Sequence, residues 1–490
     1  MQIRLFHKAL IAMAAVLLLS CGQADRLPLI TQESDLAGCE IGIVTSASHA
    51  GGVQRVFPES EILYFEDLGA MCLALEKGKI DAMVCMKQGS DELLLRHPGF
   101  RELPSAEMLD TASVCFSPDR RDLADAFNTF LSEIKADGTY DAMRHNWFGE
   151  DAPRKMYHPA PVEGEPLRVG VETGQSFLTI VRENEPAGFE PELLQRFGLW
   201  CSRPVELVEM SGGGMIPALL SGRIDAAASG ITPTRERSRR MLFSDPYDIS
   251  PLCVIVRGQD HGASFASFKE NLHTSIIAEK RYLLILNGLL ITLAITLSAV
   301  LFGGILGILL CLMKRRGPVW MKKFAHGYCV FVEAIPIVVL LLFMFYVVFA
   351  ATDITALTVA IITFSLHFAA GACESLDASI SDVDPGQWDG GLALGFTRFQ
   401  TLYYVIFPQA LFSLIPRFKG IAIALIENTA IVGFIALKDM TKVTDIIRSQ
   451  TYDSLIPLVI VGVIYYLIAR LLALLFDKLG NMLIRKRAAQ

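Results

Sequence analysis

Leu75-Glu-Lys-Gly-Lys-Ile-Asp-Ala82 and Leu219-Leu-Ser-Gly-Arg-Ile-Asp-Ala226 are two versions of one eight-residue passage. Their glycines, Gly78 and Gly222, and their aspartates, Asp81 and Asp225, are both 144 residues apart. Each passage reads as a helix end, a glycine in the left-handed region that a residue without Cβ enters cheaply, and an entering strand. Upstream of each lies a strand with a glycine inside it, Glu40-Ile-Gly-Ile-Val-Thr45 and Leu167-Arg-Val-Gly-Val171. Strand–helix–strand units of this kind predict parallel sheet and right-handed crossovers. Two similar α/β units are expected before residue 260.

The C-terminal half of the chain has a different composition. Of the 490 residues 52% are hydrophobic and 19% charged, and mean hydropathy is +0.42. Ordinary soluble chains carry about 25% charged residues, so part of this chain belongs in lipid. From Tyr282 onward there are 16 Lys/Arg and 12 Asp/Glu, which leaves 28 and 39 of the chain's 44 and 51 to the first 281 residues. An acidic soluble half precedes an apolar, weakly basic one. A net charge of −7, with no basic tract before the C-terminus, argues against disorder and against nucleic acid as a partner.

Arg4 and Lys8 precede the apolar run Ala9–Leu19, which ends in Leu18-Leu-Ser-Cys21. Such a run spans about 16 Å as helix, half of a hydrocarbon core of roughly 30 Å, and so reads as a signal-peptide core rather than a span. Leu-Leu-Ser-Cys resembles a lipobox, which implies a lipoprotein-type signal over residues 1–20, cleavage before Cys21, and lipid on that cysteine. The chain after it is then exported. Cys39, Cys72, Cys85, Cys115, Cys201 and Cys253 lie in this half, where disulfides are permitted, but no C-x-x-C occurs and the spacing pairs none. They are expected as small buried thiols.

Ser229-Gly-Ile-Thr-Pro-Thr-Arg-Glu-Arg237, followed by Phe243-Ser-Asp-Pro-Tyr247, resembles the first lobe of the periplasmic amino-acid-binding proteins. Gly188-Phe189 and Ile216-Pro-Ala-Leu219 fit the same lobe, while Leu36–Gly149 resembles the second lobe and closing helices, ending in Asp137-Gly-Thr-Tyr140 and Asn146-Trp-Phe-Gly149. The order is inverted relative to that family. The resemblance therefore implies one exported α/β bilobed domain, circularly permuted. Residues 21–152 would supply lobe two and the closing helices, 153–166 with four prolines the linker, and 167–260 lobe one. Termini that lie close together at the surface make this tolerable; two incomplete domains are the alternative.

A free amino acid presents a carboxylate and an ammonium, and a carboxylate is best held by a planar Arg fork with hydroxyl and backbone donors. The resemblance makes Arg237 the fork, assisted by Ser229, Thr232 and the Gly230 backbone, with Phe177 as an aromatic platform and Ser46-Ala-Ser48 in place of an anion loop. The family's ammonium-binding Asp falls on Met86, which is no acceptor of any strength, and its aromatic wall falls near Gly212. The carboxylate half of the site is retained and the ammonium half is not. Either the small-molecule ligand is an anion without an α-ammonium, or the domain gates transport without tight binding.

Tyr282–Met313 is 32 residues without a charge, more than the ~20 needed to span. Apolar stretches at about 324–350, 354–373, 420–437 and 455–476 bring the count to five. Starting outside, five spans put the C-terminus inside. The clusters Lys314-Arg-Arg316, Lys322-Lys323, Arg398 with Arg417 and Lys419, and Arg485-Lys-Arg487 then all lie inside, as the positive-inside rule asks.

Gly386-Gln-Trp-Asp-Gly-Gly-Leu-Ala-Leu-Gly395, with Pro408-Gln409 after it, resembles the EAA loop of ABC importer permeases. The skeleton is met by Asp389-Gly390-Gly391, Gly395, Val405, Phe407 and Pro408, with Asp for Glu and Gly for Ala. The resemblance implies an all-α, five-helix permease domain over 282–490, in which Gln387, Asp389, Gly390, Gly391, Gly395 and Pro408 form a cytosolic segment gripped by an ATPase. Asn287-Gly288-x-x-x-Thr292 matches the opening span of polar amino-acid permeases, whose Arg-Gly-x-Pro appears here as Glu333-Ala-Ile-Pro336 and whose Lys-Asp-Thr appears as Glu427-Asn428-Thr429. Ionisable groups in spans are expensive and usually face a cavity. Glu427, with Asn428 and Thr429, is therefore placed on the translocation path.

No G-x-x-x-x-G-K-[ST] occurs, so ATP hydrolysis is expected on a separate cytoplasmic ABC ATPase. No nucleophile triad or H-E-x-x-H stands out, and neither an enzyme, a cofactor nor a metal site is expected. The reading is a multi-pass subunit of an ATP-driven importer in the bacterial plasma (inner) membrane. It would take up amino acids or related small carboxylates and act as a homodimer, because one five-span permease makes half a pathway. A ligand-gated channel or a non-transporting sensor lipoprotein on the same bilobed domain is the alternative.

Overall fold

Gly78 and Gly222 sit at φ 66° and 72°, just beyond helices that end at Glu76 and Leu220. The isoleucines after them press on the strand glycines. A Cβ on Gly42 would lie 2.7 Å from Ile80 Cδ1, and one on Gly170 2.7 Å from Ile224 Cδ1. Asp81 N–H donates to Glu40 O and Asp225 N–H to Arg168 O, while each Oδ2 accepts from the backbone N–H of that same strand residue. Arg257 and Arg120 stand 3.6 and 3.0 Å from the two carboxylates. The repeated passage is thus a repeated piece of architecture, one copy per lobe.

In the computed structural model residues 30–488 are described, apart from 45–49, 66–67, 150, 174–177, 183–184, 211, 235–236, 259–271, 351, 353, 452 and 454. The expected signal segment, Cys21, Ser46, Ser48 and Phe177 lie outside the described residues. The strands are β1 (Glu40–Val44), β2 (Glu61–Phe65), β3 (Ala82–Met86), β4 (Phe100–Ala112), β5 (Cys115–Phe116), β6 (Leu167–Val171), β7 (Ile180–Arg182), β8 (Glu185–Ala187), β9 (Val205–Glu209), β10 (Ala226–Ala228), β11 (Leu242–Phe243) and β12 (Asp248–Arg257). They form one sheet in the order β2-β1-β3-β12-β4 (lobe two), another in the order β11-β5-β10-β6-β9 (lobe one), and the hairpin β7-β8. The β1–β2, β1–β3, β6–β9 and β6–β10 pairs are parallel, as the strand–helix–strand pattern predicts.

The chain crosses between lobes twice, from β4 to β5 and from β11 to β12, and Ala112 pairs with Asp248 where the crossings run side by side. Helices α1 (Ala50–Val56), α2 (Leu68–Glu76) and α3 (Lys87–Arg96) belong to lobe two. The next pair, α4 (Arg121–Ala136) and α5 (Thr139–Phe148), packs into lobe one beside α6 (Phe189–Trp200) and α7 (Gly212–Leu220). Phe127, Phe130 and Trp147 share one core with Leu167, Phe189 and Phe197. Trp147 Nε1 donates to Glu192 Oε2 at 2.8 Å, and Tyr140 Oη to Tyr247 O at 2.5 Å. Burying each such ring contributes about 1.5–3 kcal/mol, so residues before and after the proline-rich segment stabilise each other.

The rest is helical: α8 (Arg281–Arg316), α9 (Val319–Ala334), α10 (Ile337–Phe343), α11 (Ala356–Ser381), α12 (Pro385–Ala393), α13 (Arg398–Thr401), α14 (Phe407–Asn428), α15 (Met440–Thr451) and α16 (Leu455–Ala488). Among the described residues four helical stretches are long and apolar enough to cross a membrane, five if α9 and the helix after it make one span. That second stretch is not straight. It bends by 101° at Ile335-Pro336, where proline has no N–H to continue the helix. The fourth also differs from the hydropathy reading: it is helical from Phe407, leaves α geometry at Thr429, continues as 3-10 helix to Ile435, and ends with Ala436 at φ 65°. The basic end of α8 is fixed to α11 by Lys314–Glu374 at 2.7 Å and Arg315–Asp377 at 2.6 Å.

Candidate functional site

The carboxyl ends of the parallel strands β6, β9 and β10 converge on the rim of lobe one beside the two crossings, the place where open α/β sheets bind ligands. The loop leaving β10 brings Ser229, Gly230, Thr232 and Arg237 together. Arg237 is half-buried, and its Nη1 donates to Thr232 O at 3.4 Å. Thr232 Oγ1 donates to Asp110 Oδ1 at 2.7 Å, a carboxylate on the crossing strand β4. Ser229 Oγ is buried with no hydrogen-bond partner among the described residues. Met86 caps α3, lies half-buried and touches the cores of both lobes, and Gly212 opens α7 with its N–H on Glu172 Oε1 at 2.8 Å.

Gly230 departs from its expected role. Its N–H points inward, donating to Glu190 Oε1 at 2.6 Å, and is not free for a ligand. Glu190 is fully buried and collects three donors: that amide, the Thr179 hydroxyl at 2.6 Å and the Tyr247 hydroxyl. Burial raises the Glu190 pKa above the ordinary carboxylate value, against the pull of these hydrogen bonds. Burial, then the Glu190 charge, holds the Tyr247 hydroxyl well above its usual range. Neither Glu190 nor Asp110 was assigned from sequence. The acidic residue directly after Gly188-Phe189 was the available signal for the first, whereas nothing in Met-Leu-Asp-Thr marks the second.

Lobe one rests on the helical domain. Arg223 Nε donates to Phe345 O at 2.9 Å and its Nη2 to Phe349 O at 2.6 Å, with the guanidinium 3.7 Å above the Phe345 ring. At the far end of the helical domain, α12 is capped by Asp384, whose Oδ1 accepts from Gly386 N–H. Gln387 Oε1 accepts from Gln409 Nε2 at 3.0 Å, Gly395 turns the chain at φ 85°, and Pro408 opens α14. Asp389 and Gly390 are exposed, as are Leu394, Phe399, Tyr403 and Tyr404, while Gly391 is buried against Thr401.

The Glu427-Asn428-Thr429 trio is divided. Glu427 is exposed and Asn428 half-buried, but Thr429 is fully buried with its hydroxyl on Ile426 O at 2.6 Å. Thr429 is therefore a helix-end residue, its donor satisfying a carbonyl freed where the α-helix stops. On α14, Pro416, Gly420, Ala424 and Glu427 form one exposed face. Among the described residues no group of three His, Cys, Asp or Glu is arranged to hold a metal ion.

The family of bacterial extracellular solute-binding proteins, family 3, matches residues 167–432. The L-cystine transport system permease of Bacillus subtilis is 32% identical over 193 residues, 38% of this chain and 81% of that protein. The glutamate/aspartate import permease of Escherichia coli O6:H1 is 29% identical over 215 residues, 42% of this chain and 95% of that protein. The crystal structure of an amino acid ABC transporter with histidines is covered over its full length by 45% of this chain, at 28% identity and a TM-score of 0.40.

Proposed function

The chain belongs to the bacterial extracellular solute-binding proteins of family 3, and from that premise we propose that its bilobed domain captures an amino acid and hands it to the permease domain of the same polypeptide. The protein is a membrane-spanning subunit for ATP-driven amino-acid import. Residues 21–152 and 167–260 act as one circularly permuted domain joined through 153–166; the core shared by Phe127, Trp147, Leu167 and Phe189 supports this reading. Segment 1–20 exports the domain and Cys21 carries its lipid.

Arg237, Thr232 and Ser229 take the ligand carboxylate, with Phe177, Ser46 and Ser48 around them. Asp110, beside Thr232, supplies the acidic partner for an ammonium that Met86 cannot be. Two copies join through their permease domains, with Glu427 and Asn428 toward the pathway. A separate cytoplasmic ABC ATPase grips the segment from Gln387 through Asp389, Gly390, Gly391 and Gly395 to Pro408.

The observation that carries the reading is one continuous helical run. It starts at the exposed segment Arg398–Tyr404, crosses as α14 with Glu427 on its exposed face, and breaks at Thr429–Ile435 against lobe one. The 22 residues of α14 span about 33 Å, the thickness of a bilayer core. Purification in mild detergent should bring down an ATPase chain, and the reconstituted complex should take up radiolabelled L-amino acids only with ATP. Arg237→Ala should weaken ligand binding at least tenfold. Solute passage without nucleotide would contradict the proposal.

A further inference from the structure

Glu209 ends β9 on the ligand-side rim of lobe one, and its side chain is only 3% exposed. Thr173 Oγ1 donates to its Oε1, while Oε2 receives no hydrogen bond among the described residues. A buried carboxylate left in that state is strongly unfavourable unless a cation answers it. The cation comes from the other domain: Lys438 Nζ forms an ion pair with Glu209 Oε2. Apolar packing would join two domains at lower desolvation cost, so a pair between a buried carboxylate and a partly exposed lysine is better suited to a contact that must form and release.

Lys438 stands just beyond the helix break. It comes after the 3-10 segment Thr429–Ile435 and Ala436, whose positive φ is rare for a residue with a Cβ. A second route ties the same segment to lobe one. Tyr346 Oη lies 3.3 Å from both Gly214 O in α7 and Phe434 O, and Ala436 packs on the lobe-one cluster that holds Met210 and Met215. On the other side of the break, 11 residues before Lys438, is Glu427.

We propose that Lys438 is a latch. By pairing with Glu209 it fastens the ligand-side rim of lobe one to the helix break, so that a shift of the rim on solute binding reaches Glu427. Lys438 is a positioning residue, touching neither solute nor ATPase. Its role in import rests on the function proposed above, but the contact does not, and the test separates the two.

In the detergent-solubilised full chain, a zero-length carbodiimide should join Glu209 to Lys438, and mass spectrometry should find that cross-link lost in Lys438→Gln. The yield should change at least twofold when saturating L-glutamate, L-glutamine or L-cystine is added. In proteoliposomes with the ATPase, Lys438→Gln should keep ligand affinity within twofold of wild type while cutting uptake at least tenfold. Lys438→Arg should restore uptake to within threefold, and Lys438→Gln with Glu209→Gln should import no worse than Lys438→Gln alone, because both changes break one contact. The latch is overturned if no cross-link forms, if its yield ignores every one of these solutes, or if Lys438→Gln imports normally. Loss of affinity and uptake together, unrelieved by Lys438→Arg, also overturns it. If wild type cross-links with a solute-dependent yield yet imports nothing, the contact stands and the import reading falls.

Discussion

Gly390 and Gly391 are neighbours in α12 with the same chemistry and opposite surroundings. A Cβ on Gly390 would meet nothing within 4 Å, whereas one on Gly391 would lie 2.5 Å from Thr401 Cγ2, 2.9 Å from its Oγ1 and 3.2 Å from its Cβ. Thr401 cannot swing aside cheaply, since it is fully buried and its hydroxyl donates to Thr397 O at 3.1 Å. Replacing a helical glycine by alanine gains roughly 0.5–1 kcal/mol in both variants and cancels in their comparison. The uncancelled part is the cost of forcing a methyl into a filled site, about 1–3 kcal/mol. At about 1.4 kcal/mol per factor of ten, Gly391→Ala should hold the docking-competent arrangement roughly 5- to 150-fold less well than Gly390→Ala. The assay is ATPase retention on the affinity-purified protein, with ATP-dependent uptake in proteoliposomes and ligand binding as the control that neither change should move. Equal ATPase retention and uptake in the two variants would refute the argument, because it rests wholly on what stands beside each glycine.

Other substitutions test other levels. Asp439 caps α15, its oxygens accepting from the Thr441 and Lys442 amides at 3.1 Å, and burial pushes its pKa up to about 6. A raised carboxyl pKa means that the protonated form suits the fold, so stability present near pH 4 is lost as pH rises through about 6, by about 2–3 kcal/mol. Asp439→Asn, which keeps a capping oxygen without the charge, should flatten that part of the thermal-melting pH profile; parallel profiles would remove Asp439 as its cause. Glu190→Ala strands the donors of Thr179, Tyr247 and Gly230, each costing about 1–3 kcal/mol. A loss of roughly 3 kcal/mol or more is expected in denaturant titrations, and wild-type stability would discount the network. Glu427→Gln should lower uptake at normal membrane levels, whereas normal uptake would take Glu427 off the path.

Legibility from sequence tracked the range of the interactions. The two eight-residue passages could be read because their physics is local: a left-handed glycine ends a helix, and an isoleucine two positions on packs over a strand glycine. The same holds for α12, where Asp384 and Pro385 set the helix start and Gly395 the turn after it. Hydropathy located the apolar stretches but averaged over their interiors, so neither the bend at Pro336 nor the break at Thr429 was visible. The loop Ser229–Arg237 was marked by its motif, but the partner of Gly230 N–H was not, since that acceptor lies 40 residues back in Glu190. Thr232 and Asp110 are separated by 122 residues, and only the crossing of β4 between lobes brings them together.

The placement of the binding domain gives the fusion a physical sense. Fusion in one chain confines the binding domain to the permease surface at an effective concentration of order millimolar. Docking that must compete only with a millimolar standard needs about 4 kcal/mol to be half-complete. Arg223 on the Phe345 and Phe349 carbonyls, Gln450 Nε2 on Val181 O at 3.0 Å, and the Lys438–Glu209 pair are a polar set of about that scale. Under the latch proposed above, a change at the rim of one lobe acts on this polar set, beside the apolar packing of Tyr346 and Ala436 on the same lobe. In the proposed mechanism, tethering lets the docking surface respond to solute without having to capture the domain from solution.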